Sequence, residues 1–446
     1  MLLKNIVFKG HLFKDNFYKT LLWMAIPIAI QTLLFSSKAF IDTFLLAQVS
    51  SDDVSATGII GRVMLVAIIT IMGISTGGGY VAAQCSKDDK KLNSAIVTTL
   101  LISIAVALII FFAITAFDIR IINMFTTDSN IISLCQSYLS IVLVSLLLLS
   151  MSSVIASYLR IVEQSTWVSA VISIGVLLNI ILSSILIHQY QLGIAGAAYG
   201  TVMGALFEFI ALVFLLFYKR MNICQGVTFN KQQFLTIKEQ IITSTSSSLV
   251  WSLGAFLFYS FLGRSSHDAL HAISIIIPIE SILLSLSLGI SVATSILIGK
   301  AIPHESKAQI YQKSKASIML CLYSIMVIVA IFALFKNEII GYFSQDNGTY
   351  ALNSYITLMM IGVVIKSVSI QTMNGIIRSG GDGRFCMKLD IIMQWLIILP
   401  TSYIMLLLGY NPLYIYLLVL FEELLKVFAS LYRFKSDKWR HNLCQA

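Results

Sequence analysis

Charge is what this sequence has least of. Asp, Glu, Lys and Arg make up only 11% of its 446 residues, against 58% hydrophobic residues and a mean hydropathy of +0.88. Soluble globular chains are about 25% charged, so lipid rather than water must be the solvent for most of this surface. Proline is rare as well, and the five present leave no proline-rich linker and no disordered tail. The six cysteines (Cys85, Cys135, Cys224, Cys321, Cys386 and Cys444) stand singly without CxxC spacing, which argues against a disulfide framework or a zinc site. No HExxH or nucleotide-binding loop occurs, and no histidine lies near the centre of an apolar run. Hydrolytic, metalloprotease and ATP-driven chemistry therefore lack their residues, and no ATP is expected as a partner. His267 and His271 have HxxxH spacing but no third ligand, so no metal site is expected.

Long apolar runs are what the sequence has in abundance. A spanning helix needs about 20 apolar residues. Runs of that length recur twelve times, at 20–47, 54–82, 92–117, 131–159, 165–188, 192–218, 241–263, 269–299, 314–335, 351–377, 386–409 and 411–433. The basic stretch from Lys219 to Lys238 is the longest connection and separates six spans from six. It predicts an N-terminal bundle over 1–222, a linker over 223–239 and a C-terminal bundle over 240–446. Met1 to Lys19 carries four lysines and no small-residue cleavage site, so it reads as a retained segment.

Basic residues gather in alternate loops. Lys4 to Lys19, Lys87 to Lys91, Arg160, Lys219 to Lys238, Lys300 to Lys315, Arg378 to Lys388 and Arg433 to Arg440 all fall on one side. Arg62, Arg120, Arg264 and Lys336 fall on the other. By the positive-inside rule both termini are cytoplasmic, and the chain is a multi-pass protein of a plasma membrane, in keeping with a bacterial source. The net charge of +9 follows from this loop bias and does not call for nucleic acid.

The halves repeat. Gly73-Ile74-Ser75 matches Gly289-Ile290-Ser291, Tyr158-Leu159-Arg160 matches Ile376-Ile377-Arg378, and Leu206-Phe207-Glu208 matches Leu420-Phe421-Glu422, at near-constant separation. Six spans per half place both halves in the membrane in the same direction, a parallel repeat with a site expected between two bundles. The fold class is therefore an all-α polytopic integral membrane protein, with twelve transmembrane helices in two pseudo-twofold-related six-helix bundles.

Further residues carry a family resemblance. Pro27 is followed by Asp42 within Phe40-Ile41-Asp42-Thr43, and Asn179 by Gly193-Ile194-Ala195-Gly196-Ala197-Ala198. The second half has Ile377-Arg378-Ser379-Gly380-Gly381-Asp382, Gln394-Trp395, Leu399-Pro400 and Phe421-Glu422-Glu423-Leu424-Leu425-Lys426. In these motifs and their order the chain resembles the MATE (multidrug and toxic compound extrusion) transporters of the MOP flippase superfamily. The resemblance implies two six-helix bundles around a cleft, alternating access, and export of small organic drug-like compounds against entering protons or sodium ions. It calls for no cofactor beyond that coupling ion.

A charge at mid-bilayer costs about 3 kcal/mol on insertion scales, so it normally faces protein or water. Asp42 is the sharpest such candidate. Gln31, Lys38 and Asp42 share one face of helix 1. A carboxylate held between desolvation and a neighbouring ammonium suits a proton or sodium switch, although a structural Lys38–Asp42 pair has the same pattern. Asn179 and Ser183 share a face of helix 5, and Thr201 and Glu208 a face of helix 6. The resemblance implies a first-half coupling network of Asp42, Asn179 and Thr201, with Tyr138 close by. Some family members have an aspartate where Ser183 stands here. Helix 7, read as 241–263, has no acid, and the counterpart of Asp42 falls near Phe258 or Tyr259. Opposing candidates are Glu280 and Asp390. Asp390, beside Lys388, is expected to form an interfacial pair, Glu208 and Glu422 a symmetric structural pair, and Arg160 and Arg378 contacts with lipid phosphate or helix ends. The competing readings are a flippase of lipid-linked sugars and, more distantly, a membrane-embedded enzyme.

Overall fold

The computed structural model describes residues 16–47, 49–343 and 349–445. The greater part of the N-terminal segment read as cytoplasmic lies outside them. With no water in a bilayer core, backbone groups must bond within their own segment, and these leucine-, isoleucine- and alanine-rich runs all become helices. The first half contains α1 (Asn16–Ala47), α2 (Ser51–Gln84), α3 (Asp89–Asn123), α4 (Ser129–Ile161), α5 (Ser165–His188) and α6 (Gly193–Tyr218). The second contains α7 (Lys231–Ser265), α8 (His267–Ala301), α9 (Lys307–Phe343), α10, α11 and α12 (Pro412–Lys435). α10 begins as Thr349–Ile370 and continues as a π-helix over Gln371–Ile377. α11 is α-helical over Gly383–Asp390, π-helical over Ile391–Ile398 and α-helical again over Leu399–Leu407. Polar caps fix several starts: the Asp88 carboxylate accepts from the Lys90 and Lys91 amides, and Asn230 and Asn411 do the same for α7 and α12.

Eleven of these helices are long and apolar enough to cross a membrane. The twelfth, Pro412–Lys435, is just as long but carries Glu422, Glu423 and Lys426 in its middle, all buried. Ile109, Phe112, Leu334 and Leu396 are among many large apolar side chains left exposed on the outside of the bundle, where lipid covers them.

α1 lies along α8 and α2 along α7, and these pairs join the halves. The joints are symmetric. A Cβ on Gly73 of α2 would come within 2.7 Å of the Thr245 Cα of α7, and one on Gly289 of α8 within 2.6 Å of the Ala25 carbonyl of α1. These two glycines are counterparts in the repeat, and each lets its backbone reach the first helix of the opposite half.

α7 starts at Lys231, well before the predicted 241. Its first turns are polar yet partly buried, because Gln233 donates to the Lys91 carbonyl and Gln240 to the Gly381 carbonyl. Hydropathy alone ends the span too soon. The added turns also bring an acid into α7, Glu239, which pairs with Arg384 at 2.6 Å.

Candidate functional site

Three adjoining cavities run across the boundary between the halves. The first, about 400 Å³, lies largely on the first-half side and is lined by Gln31, Arg160 and Glu208 as well as Asn374 and Arg378. The second, about 310 Å³, shares Thr76, Leu288, Asn374 and Arg378 with the first and continues to Trp251, Lys366, Asp390, Glu423 and Lys426. The third, about 220 Å³, shares Trp251, Lys366 and Glu423 with the second and ends at Tyr259, Glu280, Gln394 and Glu422. Together they form a chamber with mostly apolar walls and charged groups at a few points.

The charges are concentrated at the second-half end. Lys366 Nζ binds Glu280 at 2.7 Å, and the Tyr259 hydroxyl donates to the other Glu280 oxygen at 3.4 Å. Lys426 Nζ lies 2.7 Å from Glu422, one turn back on α12, and 3.3 Å from Asp390. Arg378 Nη2 reaches Asp390 at 3.1 Å and the Ser247 hydroxyl at 2.5 Å, while Ser247 itself bonds Asp390. The Lys366 ammonium also stands 5.7 Å from the Trp251 ring centre. Both π-helical segments border this network: one ends at Ile377, just before Arg378, and the other begins just after Asp390. π-turns interrupt the regular bonding ladder and often mark functional sites.

The first half is built differently. The Arg160 Nη2 donates to Gln31 of α1 at 3.0 Å. Arg378 and Ser247 occupy the corresponding places in the second half, so each arginine at the end of its fourth helix holds the first helix of its own half. Deeper between α5 and α6, the Asn179 amide donates to the Thr201 hydroxyl at 3.1 Å. Asn179 Oδ1 and Ser183 Oγ are buried there without a hydrogen-bond partner among the described residues. Gly200 and Gly204 let α6 approach these two side chains.

At the end where the basic loops gather, the halves are tied together. The buried Gln84 of α2 donates to the Ser379 carbonyl at 2.8 Å and accepts from the Leu443 amide at 2.7 Å. Lys91 donates to the Cys444 carbonyl at 2.9 Å, and Lys300 pairs with Glu163 at 3.1 Å. Trp439, almost fully buried, packs the C-terminal segment onto the 10–11 loop, where the His441 amide donates to the Gly380 carbonyl. The hydrogen bond from the Cys85 thiol, aided by the Lys91 ammonium, pulls Cys444 down to about 7. The same bond and burial push Cys85 far above the usual thiol range.

The sequence profile of the MatE family matches residues 27–185 and 242–404, one block in each half. The chain is a member of the MATE family. An "Uncharacterized transporter YisQ" of Bacillus subtilis is 23% identical, over 98% of this chain and 99% of its own. A "Probable multidrug resistance protein NorM" of Thermotoga maritima is also 23% identical, over 90% and 88%. A solved structure described as the outward-facing conformation of a multidrug resistance MATE family transporter of the MOP superfamily has the same fold. It matches with a TM-score of 0.86 at 17% identity, covering 96% of this chain and 98% of that one. The chain is thus a multi-pass membrane transporter of the MATE multidrug efflux family, not an enzyme.

In this MATE chain the residues singled out from the sequence divide into three groups. Asn179, Thr201 and Ser183 come together, whereas Tyr138 packs with Leu46, Ile187 and Ala197. Gln31, Glu280 and Asp390 line the chamber. Lys38 is part-buried on α1, and Asp42 lies in the last turns of that helix with its side chain outside the described residues. Two expectations are corrected. Asp390 is not an interfacial partner of Lys388: it is 4% exposed and held by Arg378 and Lys426. Arg160 and Arg378 do not reach for lipid phosphate but turn inward to Gln31 and to Ser247 with Asp390. Sequence reasoning passed over Ser247, Trp251 and the alignment of Lys426 with Asp390. The repeat itself could have found Ser247, the counterpart of Gln31.

Proposed function

We propose that this MATE chain exports organic compounds by antiport, through alternating access of the chamber between its halves. The observation that carries the reading is the chamber itself: a mostly apolar cavity with a few fixed charges, lying on the boundary of two repeat-related bundles. Such a cavity suits amphipathic molecules, whose apolar bodies need area and whose polar heads need a few partners. The multidrug names of the relatives point the same way. With the basic end toward the cytoplasm, the Gln84, Lys91 and Lys300 contacts close the inner side, and inward opening must break them.

The coupling ion is a proton or a sodium ion, bound in the first half. Two buried oxygens without partners among the described residues, Asn179 Oδ1 and Ser183 Oγ, support this placement. Both are hard donors suited to a small cation or to a relayed proton. Asp42 supplies the negative charge in the reading, with Thr201 completing the polar set.

The test is ethidium efflux from proteoliposomes with proton and sodium gradients imposed separately, for wild type and Asp42→Asn. We expect one gradient to drive efflux in the wild type and Asp42→Asn to abolish it at unchanged membrane insertion. Gradient-driven efflux that survives in a well-inserted Asp42→Asn protein would overturn the first-half assignment. Failure of either gradient to drive any drug would favour a lipid-linked sugar as cargo.

A further inference from the structure

The second-half end of the chamber contains one acid more than its bases can pair. Around the two cavities there, the charged residues are Glu280, Asp390, Glu422 and Glu423 against Lys366, Arg378 and Lys426. Each base is taken: Lys366 by Glu280, Arg378 by Asp390, and Lys426 by Glu422 and Asp390. Glu423 has no salt bridge within 4 Å among the described residues, although it is only 6% exposed. Its Oε2 is buried without a hydrogen-bond partner among the described residues. Glu423 also lines both cavities, so it is the acid that joins them.

An uncompensated charge in the membrane interior costs several kcal/mol, and it persists only where something neutralises it. The groups that face Glu423 leave that vacancy open. Lys366 from α10 and Lys426 from its own helix act on it at longer range, each already engaged by another carboxylate. Glu422 beside it, Glu280 from α8 and Asp390 from α11 are acids like itself, each already engaged by a base, and offer it no counter-charge. Tyr259 of α7 is directed at Glu280, and Arg378 at the end of α10 is held by Asp390 and Ser247. The Ser369 hydroxyl of α10 can donate a hydrogen bond to the Glu423 carboxyl, but it carries no counter-charge.

We propose that Glu423 is a proton-binding site of the second half, separate from the first-half network, which takes up and releases a proton through the chamber. With a proton on its carboxyl the four acids and three bases sum to zero. When the proton leaves for the aqueous side of the chamber, the cluster carries one net negative charge and its salt bridges are otherwise unchanged. No electron moves and no covalent bond other than O–H is made or broken. Position also favours Glu423 over the other acids: reaching both cavities, it can exchange its proton without dismantling a pair.

The proposal goes beyond the antiport reading and rests on it only in its transport arm. The direct test is infrared difference spectroscopy of the purified full-length protein in lipid vesicles, between acid and alkaline buffers. We expect one buried carboxylic-acid C=O band in the wild type at acid pH, lost in Glu423→Gln and kept in Glu422→Gln. Glu423→Asp, which retains a carboxyl, should restore a band and shows that loss in the Gln variant is not misfolding. A band unchanged in Glu423→Gln, a band lost instead in Glu422→Gln, or no titrating band in the wild type would each overturn the proposal. In proteoliposomes, Glu423→Gln should lose the stimulation of ethidium efflux by an imposed proton gradient. If wild-type protein shows no gradient-driven efflux, the antiport reading fails while the infrared result still decides Glu423.

Discussion

The two halves share a plan and differ in what they bury. In the first, the polar residues inside are mainly small and neutral: Ser103, Ser150, Asn179 and Ser183, with hydroxyls returning bonds to helix carbonyls. Its helices carry no π segment among the described residues. In the second half, four acids and three bases share the interior, and two π segments flank them. The repeat-related arginines show how the same position diverged. Arg160 meets a neutral Gln31, whereas Arg378 meets Ser247 and the carboxylate of Asp390. A duplicated bundle can thus keep the interior of one half mainly neutral and gather charge in the other, because the glycine joint between them does not depend on these charges.

The largest effect that could break this comparison is on stability. Removing a buried partner leaves its counter-charges uncompensated, typically about 3–5 kcal/mol. Lys426→Met should therefore strongly lower the thermal midpoint in detergent. Thr201→Val, which removes one neutral bond in the first half, should cost about 1 kcal/mol. Equal losses would mean that the halves are not different in kind. Next comes the joint. Gly73→Val and Gly289→Val each force a Cβ against opposing backbone or side-chain atoms, at about 1–3 kcal/mol. The two should weaken the closed arrangement alike, as read by spin-label distances across the basic end. A large effect in only one would show that the joint is not symmetric.

The smallest predicted change concerns Cys444. Its folded-state value is lowered, so the thiolate fraction rises as pH climbs through about 7. Maleimide labelling at Cys444 should follow that rise, while Cys85 stays unreactive. Oxidation of the pair with copper-phenanthroline should tie α2 to the C-terminal segment and stop turnover until reductant is added. Turnover unaffected by a formed Cys85–Cys444 cross-link would mean that this end does not open.

Much of the fold was legible because lipid makes length and hydropathy nearly sufficient. The predicted 165–188 and 192–218 fall almost on α5 and α6. Where polar helix turns pack against loops, as at Lys231 to Gln240, hydropathy gives no sign of the helix. The π segments left no trace in the apolar pattern either. In the candidate site, the i, i+4 order of Glu422 and Lys426 was readable, since one helix determines it. The meeting of Asp390 with Lys426 was not, because it depends on the relative rotation of α11 and α12. Lys388 misled for the same reason: nearness in sequence suggested a partner on the opposite side of the helix from where Asp390 points.

The wide separation of the charge partners also bears on how the protein is made. Glu280 is synthesised 86 residues before Lys366, its partner, and α12 with Glu422, Glu423 and Lys426 comes later still. A helix released alone into lipid with one of these charges meets a penalty of about 3 kcal/mol. α8 gains its counter-charge only when α10 arrives. The insertion machinery, or the finished first half through its α1 contact, must hold α8 in the meantime. A charge lost from α10 or α12 should therefore register as degraded nascent protein before it registers as failed transport.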